Sequence, residues 1–302
     1  MKKIIIGMGG GYDIVVAGML REKMMRVYGM DEIDIGGMLN PKFVHFYEGL
    51  EGEFQEEGAV NLVSLKVAKY RRDRANEGYL DYMKNGEMIH FVDEALALEV
   101  DEKVFGFSIF RDNIDDIEHF LQENYEQIIF CDVGGDILFF GEKDKMVKTP
   151  VMDAFSIRVA YDLGEKYRKN VKVLLLGIGL DGELPFENLK SNIVQMEQRR
   201  AFSYWDNIEV EDLEWLKRVY ERVRYGSKGK TNQLLLEVGT HSVETSLLAK
   251  KRGIHKFAEW FNCVYQLDVG TLFEMNPITK ARTYEEMKTI AAEKGVAMDR
   301  YY

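Results

Sequence analysis

The stretch that decides the fold is Lys2-Lys3-Ile4-Ile5-Ile6-Gly7-Met8-Gly9-Gly10-Gly11-Tyr12-Asp13. Its three isoleucines follow one another without polar alternation. Such a segment is covered on both faces, as a central strand of a parallel sheet is. A glycine loop follows at Met8–Asp13. From Ile14 to Tyr28 apolar residues recur at helical spacing, among them Val15, Met19 and Met25, and Gly29 supplies the stop. Strand, glycine loop and helix form the opening of a βα unit.

Two later segments repeat this design. Gln127–Cys131 reads as a buried strand that runs into Asp132-Val133-Gly134-Gly135-Asp136. Val171–Gly177 reads as another, running into Gly177-Ile178-Gly179-Leu180-Asp181-Gly182-Glu183. Between them, Thr149-Pro150 pairs an N-cap residue with proline at the first helical position, and the helix extends to about Tyr167. Glu87–Val92 and Val104–Ile109 are strand segments, and Asn113–Asn124 is a helix. Gly36–Glu53 reads as loops and short strands. Ala59–Lys84 reads as a helix whose basic run, Lys66 to Arg74, is a solvated face. Beyond it lie the amphipathic Glu209–Tyr225, a loop at Gly226–Thr231 and a capped helix at Thr283–Lys294. The alternation predicts an α/β fold: a doubly wound, mostly parallel sheet with helices on both faces and a helix-rich C-terminal third. Residues 1–302 read as one α/β domain, with 185–302 open to reading as a helical cap.

Composition narrows the class. The chain has 302 residues, 46% hydrophobic and 30% charged, which suits a globular protein with a sizeable core. Its net charge of −11 argues against a nucleic-acid partner and leaves a small anionic ligand open. Two cysteines, Cys131 and Cys263, make no disulfide framework and point to a reducing, cytoplasmic setting. The glycine run and Asp13 interrupt what would otherwise resemble a signal sequence. No stretch is apolar for long enough to span a membrane. A homo-oligomer is compatible with the sequence.

Three strand-end loops carry the candidate site, because ligands of open α/β sheets sit beyond the carboxyl ends of the strands. Gly9, Gly10 and Gly11 would let backbone N–H groups approach an anion at the start of a helix, with Asp13 beside them. A third glycine at dinucleotide spacing is missing, so NAD is not expected. Asp132 and Asp136 flank Gly134 and Gly135. Two acids on so flexible a turn can converge on a hard cation, which makes them the candidate metal ligands, or can activate a nucleophile. Asp181 and Glu183 add carboxylates beside Gly179 and Gly182, and Asp153 lies in the first turn after Pro150. Lys230 belongs to a basic glycine loop that lacks the Walker pattern. The histidines show no zinc spacing.

Taken together and in this order, Gly9–Asp13, Asp132–Asp136, Pro150 with Asp153, and Gly177–Leu184 resemble the mostly archaeal family called domain of unknown function 1152. The resemblance spans most of the chain. Tyr12 stands where the pattern leads one to expect another glycine. The family brings no established reaction, so the resemblance bears on the sites and not on the chemistry. Gly177–Gly182 also looks like a loop of sugar-phosphate isomerases of the glucosamine-phosphate deaminase type, which carry histidine where this chain has Glu183.

The residues leave three functions open. One is a hydrolase or group transferase acting on a phosphorylated or nucleotide-like substrate. Its catalytic residues would be Asp132, Asp136, Asp181 and Glu183, and its candidate cofactor is Mg²⁺ or another divalent cation. A second is a non-catalytic nucleotide- or metabolite-binding regulator. A third is a metal-free sugar-phosphate isomerase or hydrolase.

Overall fold

The computed structural model describes residues 2–9, 12–39, 60–61, 66–70, 82–84, 87–89, 92–100, 102–108, 114–141, 147, 150–223, 230–240 and 260–296. Its strands are β1 (Lys3–Gly7), β2 (Ile33–Leu39), β3 (Val60–Asn61), β4 (Lys66–Tyr70), β5 (Tyr82–Lys84), β6 (Glu87–Ile89), β7 (Val104–Ser108), β8 (Gln127–Val133), β9 (Asn170–Leu176), β10 (Phe202–Asn207) and β11 (Cys263–Leu267). Its helices are α1 (Asp13–Tyr28), α2 (Val92–Val100), α3 (Ile114–Asn124), α4 (Pro150–Glu165), α5 (Phe186–Gln198), α6 (Val210–Val223), α7 (Lys230–Thr240), α8 (Val269–Met275) and α9 (Tyr284–Glu293).

Among the described residues, nine strands form one sheet in the order β10-β11-β9-β8-β1-β2-β7-β4-β3, and β5 pairs with β6 as a separate hairpin. The five central strands, β9 to β7, are parallel. The flanking strands on both sides are antiparallel. The chain lays down β1, β2 and β7 in one direction, then returns to the far side of β1 for β8 and β9. The order therefore reverses between β1 and β8, and such a switch point opens a crevice at the carboxyl ends. Gly7 at the end of β1 lies opposite Gly37 of β2 and Cys131 of β8, so the three strands reach that edge together.

Burial on both faces explains the apolar runs. Ile4, Ile5 and Ile6 are wholly buried, as are Ile128, Phe130, Cys131 and Val173 to Leu176. Each such side chain contributes about 1.5–3 kcal/mol relative to exposure. One helical layer joins α1, α2, α6 and α7; the other joins α3, α4, α8 and α9. Gly29 ends α1 in the left-handed conformation at φ 59°, which only glycine adopts readily. Thr283 and Glu286 form the reciprocal capping box that their spacing predicts. No described helix is long and apolar enough to cross a membrane.

Several expectations are corrected. Residues 60–61, 66–70 and 82–84 are strands and not parts of a helix. β4 is a sheet strand because Val67 to Tyr70 pair with Val104 to Phe107, a tertiary demand that outweighs helical spacing. Val92–Val100 is a helix, although Val92 reads as the end of a strand. Lys230 and Thr231 open α7 instead of belonging to a loop. The C-terminal third, helix-rich as predicted, also contributes β10 and β11, whose mixed exposure hides their apolar pattern. Thr149, Asn113, most of Gly36–Glu53 and most of Gly226–Thr231 lie outside the described residues.

Strand β1 and helix α1 approach closely at Gly7. A Cβ there would stand 2.5 Å from the backbone nitrogen of Ile14 and 2.6 Å from the carbonyl carbon of Asp13. The neighbours are main chain and have no rotamer to change. Gly7→Ala should therefore lower stability by about 1–3 kcal/mol, as overpacking does, read as a fall in the urea midpoint at unchanged m-value.

Candidate functional site

Asp132 is not in the loop after β8 but is its penultimate residue, and it is wholly buried. Gly134 and Gly135 follow at φ 125° and 111°, values that side chains resist. This turn leads into a short 3₁₀ segment that starts with Asp136, also buried. Asp153 is the fourth residue of α4. It is wholly buried at the helix end whose dipole favours negative charge. Asp132, Asp136 and Asp153 each offer a carboxylate oxygen, and these oxygens all lie within 4.8 Å of one another. Both oxygens of Asp132 and both of Asp153 are buried and, among the described residues, accept no hydrogen bond of normal geometry.

Neighbouring loops enclose the three. Asp181 Oδ2 accepts the Asp136 N–H at 3.1 Å, and its Oδ1 accepts the Glu183 N–H at 2.9 Å. A Cβ at Gly134 would lie 2.6 Å from Asp181 Oδ2, so glycine is what admits that carboxylate. The Gly134 carbonyl accepts the Gly179 N–H, and the Gly134 N–H donates to Leu176 at 3.1 Å. The β8 and β9 loops are thus stitched together. Gly182 stands at φ 68° facing open space.

On the β1 side, Asp13 is the first residue of α1 and not its N-cap; Tyr12 holds that place. Asp13 Oδ2 turns back to accept the Gly9 N–H at 2.7 Å. A Cβ at Gly9 would overlap this oxygen and lie 3.5 Å from Asp153 Oδ1. Gly9 therefore makes room for the Asp13 carboxylate and lies beside Asp153. Met8 is held on both sides, its N–H by the Cys131 carbonyl at 2.9 Å and its carbonyl by the Ser156 hydroxyl at 3.1 Å. Gly10, Gly11 and the Lys230 side chain lie outside the described residues.

Burial is the first cause of the electrostatics. It pushes the carboxyls of Asp132, Asp153 and Asp181 well above the usual range, and the charge of Asp136 adds to each. Asp13 is raised to about 7 by burial and then by Asp136, against the Gly9 hydrogen bond. The Cys131 thiol is pushed up as well, which makes it a poor nucleophile.

The sequence reading brought together Asp13, Asp132, Asp136, Asp153, Asp181 and Glu183, and the fold does gather them. The sequence names Asp132 and Asp136 as candidate metal ligands, and the fold brings a carboxylate oxygen of Asp153 within 4.8 Å of theirs. The sequence reading missed Ser156 and Asn232. Ser156 lies three residues after Asp153 and so on the same helical face, a usable signal. Asn232, whose Nδ2 donates to the Tyr12 carbonyl at 3.1 Å, gave none.

The family described as Protein of unknown function (DUF1152) matches residues 77–296. The chain belongs to this family. The matched stretch contains Asp132, Asp136, Asp153, Asp181 and Glu183, runs through the last third of the chain, and leaves the Gly9–Asp13 loop outside. No curated protein and no solved structure matches.

The raised carboxyls set a pH dependence. A group such as Asp13, at about 7 in the fold against 3.8 free, contributes stability that is full below 3.8 and lost as pH rises through 7. Asp132, Asp153 and Asp181 act in the same direction. With chelator present, urea stability should fall steadily from pH 4 to pH 8, and Asp153→Asn should flatten the fall.

Proposed function

We propose that the protein is a hydrolase or group transferase that binds a divalent cation, Mg²⁺ or a close relative, and acts on a small phosphorylated or nucleotide-like substrate. One observation carries this reading: Asp132 and Asp153 are wholly buried, hydrogen-bonded by neither oxygen, and converge with Asp136. Buried carboxylates are stable as anions only beside a counter-charge. No described lysine or arginine forms an ion pair with Asp132 or Asp153. An all-oxygen donor set suits a hard cation, and Mg²⁺ ordinarily completes its shell with water and substrate phosphate.

The start of α1 favours an anion beside the metal. The cation would draw off charge from a phosphoryl group and lower the pKa of a bound water. In hydrolysis the water oxygen bonds to phosphorus and the P–O bond to the leaving group breaks with its electron pair. A carboxylate takes the water's proton and returns it to the leaving oxygen. Asp13, part-buried at the start of α1 beside the cluster, is the carboxylate placed for that exchange. Asp181 and Glu183 position the substrate from the β9 side. Cys131 and Cys263 are not joined by a disulfide, and a reducing cytoplasm is the proposed setting.

Calorimetric titration with Mn²⁺ and Mg²⁺ tests the reading. The wild type should bind, and at 100 times Kd the cation should stabilise the fold by about 2.7 kcal/mol. Asp132→Asn and Asp153→Asn should each weaken binding at least tenfold while remaining folded in chelator. A wild type that binds neither cation would sink the proposal. Phosphatase and phosphotransfer assays on nucleotides and sugar phosphates then separate an enzyme from a binding protein, with Asp136→Asn expected to cut turnover at least a hundredfold.

A further inference from the structure

Among the described residues, four buried side-chain atoms outside the acidic cluster meet no hydrogen-bond partner: Asp93 Oδ1, Glu118 Oε1, Asn232 Oδ1 and Asn276 Nδ2. Two of them, on Asp93 and Asn232, stand against the first turn of α1. Asp93, in the first turn of α2, is 5% exposed, and its Oδ1 accepts no hydrogen bond. It sits over the carboxyl end of β2. A Cβ at Gly37 would lie 2.6 Å from that oxygen and 2.8 Å from Cδ1 of Ile14. Asn232 is wholly buried. Its Nδ2 is committed to the Tyr12 carbonyl, which fixes the amide orientation and leaves Oδ1 as an acceptor with no donor.

Tyr12 and Ile14 are two residues apart, so both acceptors border the same turn. Gly37 pairs with Gly7, which places Asp93 at the level where the strands end. Asp132 and Asp153 belong to β8 and α4, across the switch point. The β8 side of the switch point thus holds the convergent carboxylates, and the first turn of α1 on the other side is bordered by acceptors that meet no described donor. Each such atom costs about 1–3 kcal/mol unless a donor meets it. The missing partner is a donor, and next to a proposed anion site it is the uncharged part of the same ligand.

We infer that Asp93 and Asn232 form a hydroxyl-binding subsite, and that the substrate is a phosphorylated polyol, such as a sugar phosphate or a ribonucleotide, lying across the switch point. The inference rests on the cation and phosphate reading above. The phosphate sits between the cation and the start of α1. The sugar hydroxyls donate to Asp93 Oδ1 and Asn232 Oδ1 over β2. Burial holds the Asp93 carboxyl at about 7, so it faces a neutral group without the cost of an isolated charge.

The test is calorimetric titration with Mn²⁺ present, using three probes: inorganic phosphate, n-pentyl phosphate and ribose 5-phosphate. Ribose 5-phosphate should bind at least about tenfold tighter than the pentyl ester, the effect of leaving a buried acceptor unmet. Asp93→Leu removes the acceptor at similar volume and an unpaired polar group with it, so the fold should be retained or strengthened. In this variant the preference should collapse to about one while inorganic phosphate affinity stays unchanged. Equal binding of the two esters to the wild type, with phosphate and Mn²⁺ still bound, overturns the subsite alone. It would mean that a buried water meets these atoms. Failure of every probe to bind overturns the subsite together with the reading on which it rests. A preference that persists in Asp93→Leu overturns the role of Asp93.

Discussion

Buried carboxyl groups within reach of one another repel as anions, and each also loses its hydration. At Asp132, Asp136 and Asp153 both penalties act at once, and the surrounding structure is arranged to hold them there. β8 is buried on both faces, so it cannot shift to bring Asp132 to water. α4 is pinned to the β1 loop through Ser156 and Met8. The β9 loop closes over Gly134. Such a centre stays neutral by holding protons or stays charged by holding a cation. The rest of the site follows from which of the two prevails.

The same constraint explains the glycines. Gly9 and Gly134 are places where a side chain would collide with a carboxylate, Asp13 at the first and Asp181 at the second. Gly7 and Gly37 serve a different purpose, letting α1 and α2 settle onto the ends of β1 and β2. At Gly9, what resembles a phosphate loop in the sequence is explained by carboxylate accommodation.

What could be read in the sequence depended on how local the cause was. β1, β8 and β9 announce themselves because full burial leaves continuous apolar runs. α9 does so because its capping box is complete within four residues. The three glycine-aspartate loops could be placed together because parallel strands bring their carboxyl ends to one edge. β4, β10 and β11 could not be read, since each owes its conformation to a partner strand distant in sequence. Asp153 was visible as a first-turn acid. Its role as a third convergent carboxylate was not, because that needs the crossing of α4 over the end of β8. Asp93 and Asn232 carry no local signature at all. Only the absence of a partner in three dimensions sets them apart.

Asp132, Asp136 and Asp153 all belong to a single βα unit, β8 and α4 with the loop between them. Asp13, Gly9, Asp93 and Asn232 come from other units, and the first two precede the stretch by which the family is recognised. The molecule is therefore modular at the level of its crevice. One contiguous segment sets the acidic pole, and separate segments shape the space around it. Divergence in those separate segments can reshape the space beside the pole without disturbing its three carboxylates, so the two are free to change at different rates.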